Sequence, residues 1–286
     1  ATALNYPLSY ALMKGEFGLP EMGIEGIALG TGIISSCMLV GLLFLTYRQP
    51  VFSNYPLWSG WAEFSFDKMK ETLRLAFPIS LAHAMEVGMF SAAALIVGLL
   101  GVNALAAHQI ALQATTLSFM IPLGISQAVS VKVGEFYGKS KVRETVRPLK
   151  AGLQLSSLSA LLAGAIFIFA PELLVDFFLQ KESISLSSYE ELLLIATGIL
   201  FFAALFQFVD AWQVILMGAL RGFKLGSSPT IVAVFSYWGV GIPISYLASK
   251  VLGAPGVWMG MGIGLASSAM LLGWLYYRQI NKPLSI

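Results

Sequence analysis

Charge is scarce in this sequence. Only 11% of residues are Asp, Glu, Lys or Arg, while 57% are hydrophobic; an ordinary soluble domain carries roughly 25% charged residues. A water-soluble fold cannot hide that much apolar side chain, so lipid must solvate much of the surface. Cysteine is nearly missing: the single Cys37 sits in an apolar stretch, which excludes an internal disulfide and leaves no thiol or metal motif. Low-complexity tracts are absent, and nothing points to nucleic acid. The net charge of +2 names no partner, because the basic residues matter by location. No secretory signal pattern stands at the start. The chain begins at Ala1, and residues 1–13 read as a helix already under way, so the expectation is a piece of a longer protein.

What is abundant is long apolar runs and glycine, which number 28 and suit closely packed membrane helices. A spanning helix needs about 20 mostly apolar residues. That length predicts seven spans, near 24–47, 74–100, 105–136, 148–170, 190–219, 228–249 and 255–277, with a turn at Gly101-Val102-Asn103. The fold class expected is therefore an all-α, polytopic helical bundle with the lipid bilayer as its partner. With these spans, every lysine and arginine except Lys14, Lys181 and Lys250 falls on one side. By the positive-inside rule that side is cytoplasmic, and the C-terminus lies there. The opposite loop, 171–191, is rich in acids. Residues 48–73, with Pro50, Pro56, Trp58 and Trp61, read as a cytoplasmic linker along the interface. It separates residues 1–47 from a six-helix bundle over 74–286, the usual joint between transporter halves.

Two acids lie well inside the spans, Glu86 and Asp210. Glu86 follows Arg74, and Asp210 precedes Arg221, by about three helical turns; at ~1.5 Å per residue both sit roughly 17 Å from the basic ends of their helices. Their depths match, near the bilayer midplane. With lysines and arginines gathered at helix ends, no cation is expected to neutralise them. Such carboxylates either serve as satisfied structural hydrogen-bonders or bind a proton or cation, and intramembrane acids are functional by default. Gln207 and Gln213 flank Asp210 at helical spacing and extend a polar face. His83, one turn before Glu86, could relay a proton or hold a metal, although no second His or Cys complements it. His108 reads as structural. Gln109, Gln113, Thr116 and Met120 form a helical stripe suited to a cavity wall. Phe90, Phe119, Phe206, Trp212, Tyr237 and Trp238 are aromatics able to stack on an organic cation. Pro78 is expected to kink its span, and Pro122, Gly124 and Pro243 to interrupt theirs.

Several runs carry a family resemblance. Leu105-Ala106-Ala107-His108-Gln109-Ile110-Ala111-Leu112, continuing through Met120-Ile121-Pro122-Leu123-Gly124 to Ala128-Val129-Ser130-Val131-Lys132-Val133-Gly134, resembles the eighth helix of multidrug and toxic compound extrusion (MATE) transporters. Phe77-Pro78-Ile79 through Glu86-Val87-Gly88 is similar to the seventh helix. Asp210-Ala211-Trp212-Gln213-Val214 through Gly218-Ala219-Leu220-Arg221-Gly222 resembles the tenth, and Gly15-Glu16-Phe17-Gly18-Leu19-Pro20 the loop before the sixth. The matches run in order over nearly the whole chain and lie nearest the bacterial NorM-like branch. The resemblance implies two six-helix bundles in a bacterial inner (plasma) membrane. It implies export of cationic organic substrates by alternating access, in exchange for sodium or protons, with Glu86 and Asp210 as the cation-coupling acids. It implies no cofactor and no enzyme chemistry. The first four helices have no counterpart here, so the missing N-terminal half of the same transporter becomes an expected partner. A lipid-linked oligosaccharide flippase of the same superfold is the alternative; a basic cavity would be expected there.

Overall fold

The computed structural model describes residues 2–18, 20–49, 65–179 and 185–282, and every regular element among them is helical. The elements are α1 (Thr2–Lys14), α2 (Gly23–Arg48), α3 (Phe66–Gly98), α4 (Val102–Gly138), α5 (Val146–Phe169), α6 (Pro171–Phe178), α7 (Leu186–Gly222), α8 (Ser227–Leu252) and α9 (Ala254–Ile280). Seven of them, all but α1 and α6, are long and apolar enough to cross a membrane. The expected spans are all present as helices, and they run longer than hydropathy alone indicated. α3 begins at Phe66, so residues 66–73 of the expected linker are helix. Asp67 in the first turn suits the positive end of the helix dipole, and nothing in lipid thickness stops a helix from projecting into water. Pro50, Pro56, Trp58 and Trp61 lie outside the described residues. In the acidic loop after α5, Pro171 opens the short helix α6 with Glu172 in its first turn; Lys181 and Glu182 lie outside the described residues.

The interruptions expected at Pro122 and Gly124 need correction. α4 runs unbroken through Pro122 and Gly124. α8 also continues past Pro243, but with a π-helical stretch over Phe235–Gly241 just before it. Pro243 has no N–H for the carbonyl one turn back, and widening the turn is one way to accommodate its ring.

The chain divides into two compact units, Ala1–Phe66 and Asp67–Ile286. In the first, α1 and α2 pack backbone to backbone: a Cβ added at Gly26 would fall 2.6 Å from the Leu12 carbonyl oxygen, and one at Gly30 2.7 Å from Ser9 Oγ. The Met22 N–H donates to the Leu12 carbonyl at 3.0 Å. Only Gly26 and Gly30 of α2 are buried, so its apolar side chains face outward, an arrangement suited to lipid rather than water.

In the second unit α7 is the axis, with α4, α5 and α9 packed around it. Leu192, Ala196, Ala203, Ile215 and Ala219 are buried around its circumference. Close crossings depend on small residues, as membrane packing requires where no hydrophobic drive separates helix from lipid. Gly218 of α7 sits on Ser126 of α4, and Gly260 of α9 on Ser245 of α8. Ser126 Oγ donates to the Val214 carbonyl at 2.7 Å, and Ser245 Oγ to that of Val257 at 2.9 Å. Two apolar layers result. One is built around Met89, Phe206, Trp258 and Met261, the other around Val129, Ile215, Leu272 and Tyr276. They meet on α7 between Val209 and Val214, and Asp210 lies in that gap.

The second layer is pinned by a buried hydroxyl pair, Thr145 Oγ1 and Tyr276 Oη, 2.8 Å apart. Thr145 gives its one proton to the Val142 carbonyl at 2.6 Å, so Tyr276 is the donor. Tyr276→Phe is expected to cost about 1 kcal/mol, read as a lowered melting temperature of purified protein; an unchanged melt would show that water replaces the bond.

Candidate functional site in the α3–α4–α7 recess

Both acids line one recess. It encloses about 850 Å³, part of it open to the outside, between Glu86, Phe90 and Ser91 of α3, Gln109, Thr115, Thr116 and Phe119 of α4, and Phe206 and Asp210 of α7. The equal depths expected from helix length thus become one shared wall. Asp210 is only 4% exposed. Its Oδ1 has no hydrogen-bond partner among the described residues, and neither does the side-chain amide of Gln207, one turn earlier. Buried polar atoms are almost always paired, so three unpaired atoms within one turn of α7 make this a candidate position for a proton or cation.

Glu86 also borders a second, much tighter recess on the basic side, lined by Ile79, Ala82 and His83 of α3, Gln213, Val214, Met217 and Arg221 of α7, and Pro229 and Thr230 of α8. His83 Nδ1 lies 3.5 Å from Glu86 Oε2, as their spacing on one helix face predicts. Gln213 Nε2 donates to Tyr237 Oη at 2.7 Å, and both residues are buried. Tyr237 belongs to the π-helical stretch, which is how α8 turns its hydroxyl toward α7. α3 is held against α8 by two bonds to its main chain. Thr230 Oγ1 donates to the Pro78 carbonyl at 2.7 Å, and Trp238 Nε1 to that of Met85 at 3.2 Å. Glu86 therefore rides on a helix tethered just before it.

The expected wall residues separate into two groups. Gln109, Phe90, Phe119, Phe206 and Thr116 line the recess with the acids. Gln113 and Met120 are exposed and line neither recess, so the α4 stripe contributes alternate members only. Trp212 points away and donates to Ser157 Oγ of α5 at 2.8 Å. Arg221 qualifies the expectation that no cation neutralises the acids: it lines the second recess with Glu86, though it makes no ion pair with either acid among the described residues. It starts in the last turn of α7, but helical side chains lean toward the helix N-terminus, which carries its guanidinium inward. Sequence reasoning also missed the ring chain behind the recess. Phe90 meets Phe206 edge-on at 5.9 Å, Phe206 meets Trp258 at 5.4 Å, and Trp258 Nε1 donates to His108 Nδ1 at 3.1 Å. His108 is fully buried, and its Nε2 has no hydrogen-bond partner among the described residues. Among the described residues no cluster of three or more His, Cys, Asp or Glu could hold a metal.

The chain has known relatives. A protein described as a probable multidrug resistance protein NorM, from Pseudomonas syringae pv. tomato, is 35% identical over 274 residues, which cover 95% of this chain and 59% of that protein. One of the same description from Mesorhizobium japonicum is 35% identical over 289 residues, covering 100% and 61%. The chain thus spans about three-fifths of the length of these relatives. Among solved structures, the outward-facing conformation of a multidrug resistance MATE family transporter of the MOP superfamily matches at TM-score 0.80 and 20% identity over 99% of this chain and 61% of that one. The eukaryotic MATE transporter AtDTX14 matches at TM-score 0.80 and 20% identity over 97% and 61%, which speaks for a shared fold. The MatE family model covers residues 78–247, more than half of the chain and the whole of the two-acid site, and the chain belongs to that family of multi-pass membrane proteins.

Proposed function

We propose that this chain is the C-terminal part of a secondary antiporter that exports cationic organic compounds in exchange for sodium or protons by alternating access. One observation carries the reading. Glu86 and Asp210 share a recess inside the spans, and Asp210 Oδ1 is buried there without a partner among the described residues. An unpaired carboxylate away from water is costly, and a proton or a cation removes that cost. If coupling ion and cargo compete for the same two acids, entry of one on one side of the membrane drives release of the other. Phe90, Phe119 and Phe206 give the recess aromatic faces and edges suited to an apolar cation. An acidic recess also favours cationic cargo over the anionic lipid-linked sugars of a flippase.

In this reading the basic ends and the C-terminus face the cytoplasm of a bacterium, across its inner membrane. Residues 1–47 close an N-terminal bundle, 48–65 link the halves, and the C-terminal six-helix bundle starts with α3 at Phe66. The remaining length seen in the relatives supplies the rest of the N-terminal half. The defining measurement is ethidium efflux by the intact transporter in everted vesicles under an imposed sodium or proton gradient. Efflux that responds to neither gradient removes the antiport reading. Topology has its own check. Cys37 is exposed, so Cys37→Ser first clears the background. A cysteine introduced by Arg143→Cys should then react with an impermeant maleimide only when the cytoplasmic face is accessible; labelling from outside intact cells refutes the orientation.

A further inference from the structure

Arg221 is placed oddly for a residue at a helix end. A basic side chain there normally extends into the headgroup region and water. Arg221 is instead only partly exposed and lines the smaller recess with Glu86 and His83. One guanidinium nitrogen, Nη2, donates to Ser126 Oγ at 3.1 Å. Its Nε is buried and donates to nothing among the described residues. A guanidinium cannot neutralise itself by losing a proton, so a partly buried one with a neutral hydroxyl as its partner is incompletely compensated.

The missing charge stands across the recess. α3 runs away from the basic side and α7 runs toward it, so the N-terminal lean of helical side chains tips Glu86 and Arg221 toward each other. Ile79, Ala82, Val214 and Met217 give the recess they share apolar walls that screen little, with His83 beside Glu86 on α3. Gln213, the one amide in the lining, is already engaged with Tyr237.

From this geometry we infer that Arg221 is the internal counter-cation of the Glu86 site: with no cation bound, its guanidinium compensates Glu86 across the smaller recess, and cargo or coupling ion binds by displacing it. The inference rests on the reading of Glu86 as a cation-binding acid. Its consequence is kinetic as well as thermodynamic. A built-in competitor lowers apparent affinity for every cation and gives a loaded site a way to let go. The short tether to Ser126 makes the exchange possible, since a single neutral hydrogen bond is easily given up.

The test uses the intact transporter in lipid nanodiscs, with tetraphenylphosphonium as the probe cation. Arg221→Gln removes the competitor and should tighten probe binding by about tenfold or more, as expected of one charge facing the site across a partly solvated recess. Arg221→Lys keeps the charge and should stay near wild type. Ser126→Ala frees Nη2 to spend more time on Glu86 and should weaken binding. Weaker or unchanged binding in Arg221→Gln, or equal behaviour of the Lys and Gln variants, overturns the proposal. A melting-temperature cycle without any cation supplies a second readout: Arg221→Gln and Glu86→Gln should be clearly non-additive, and additive effects overturn the pairing. If Arg221→Gln does not fold, Ser126→Ala decides, because stronger or unchanged probe binding there has the same meaning. Failure of the underlying reading looks different, as coupled efflux that persists in Glu86→Gln.

Discussion

Glu86→Gln should abolish coupled efflux of a cationic dye while leaving folded protein in the membrane. Gln keeps the shape and the hydrogen-bonding oxygen of Glu but can neither hold a proton nor balance a cation. Glu86 is the one acid bordering both recesses, so its charge acts on whatever occupies either. Asp210→Asn should give the same loss by a more local route, since Asp210 is buried with an unpaired Oδ1. The stability outcome separates the two variants from simple damage. Removing an uncompensated buried charge does not destabilise and often stabilises, so the Asp210→Asn protein should melt no lower than wild type. The measurements are ethidium efflux from everted vesicles under imposed sodium and proton gradients, and melting of the purified protein. Gradient-driven efflux at wild-type rate in both variants would sink the coupling mechanism.

The membrane class and the helix count were legible because lipid imposes a coarse rule: about twenty apolar residues per span and basic residues on one side. The same rule hid the ends. Hydropathy stops where side chains become polar, whereas backbone hydrogen bonding carries α3 back to Phe66 and α7 from Leu186 to Gly222. Glu86 and Asp210 stood out as acids in apolar runs, and helix rise alone placed them at one depth. What no spacing argument could supply was azimuth. Trp212 and Phe206 are both aromatics on α7, yet one lies against Ser157 and the other lines the recess with Asp210. Arg221 was misread for a related reason: its Cα is at the helix end, and only the lean of its side chain brings charge inward. The Trp258–His108 bond joins α9 to α4 across a sequence separation of 150 residues, and nothing local to either residue announces the other.

Gly218→Leu should cost more stability than any side-chain change at the site itself. A Cβ at Gly218 would collide with Ser126 Oγ and fall 2.6 Å from the Ser126 carbonyl oxygen and 3.2 Å from its carbon. Two of those atoms are main chain of α4 and cannot rotate away, so the helices must separate. Overpacking a well-filled interior costs about 1–3 kcal/mol even where side chains can adjust. Here separation also stretches the Ser126–Val214 and Arg221–Ser126 bonds. It shifts α7 against α4 just below Asp210, so whatever protein survives should bind cations poorly as well. Gly262→Leu on α9 is the matched control, because a Cβ there meets nothing within 4 Å and any helix-propensity effect of replacing glycine is shared. The comparison is the yield of monodisperse protein by size-exclusion chromatography and its melting temperature. Gly218→Leu protein that is as abundant and as heat-stable as Gly262→Leu would show that the α4–α7 crossing does not set the geometry of the two-acid site.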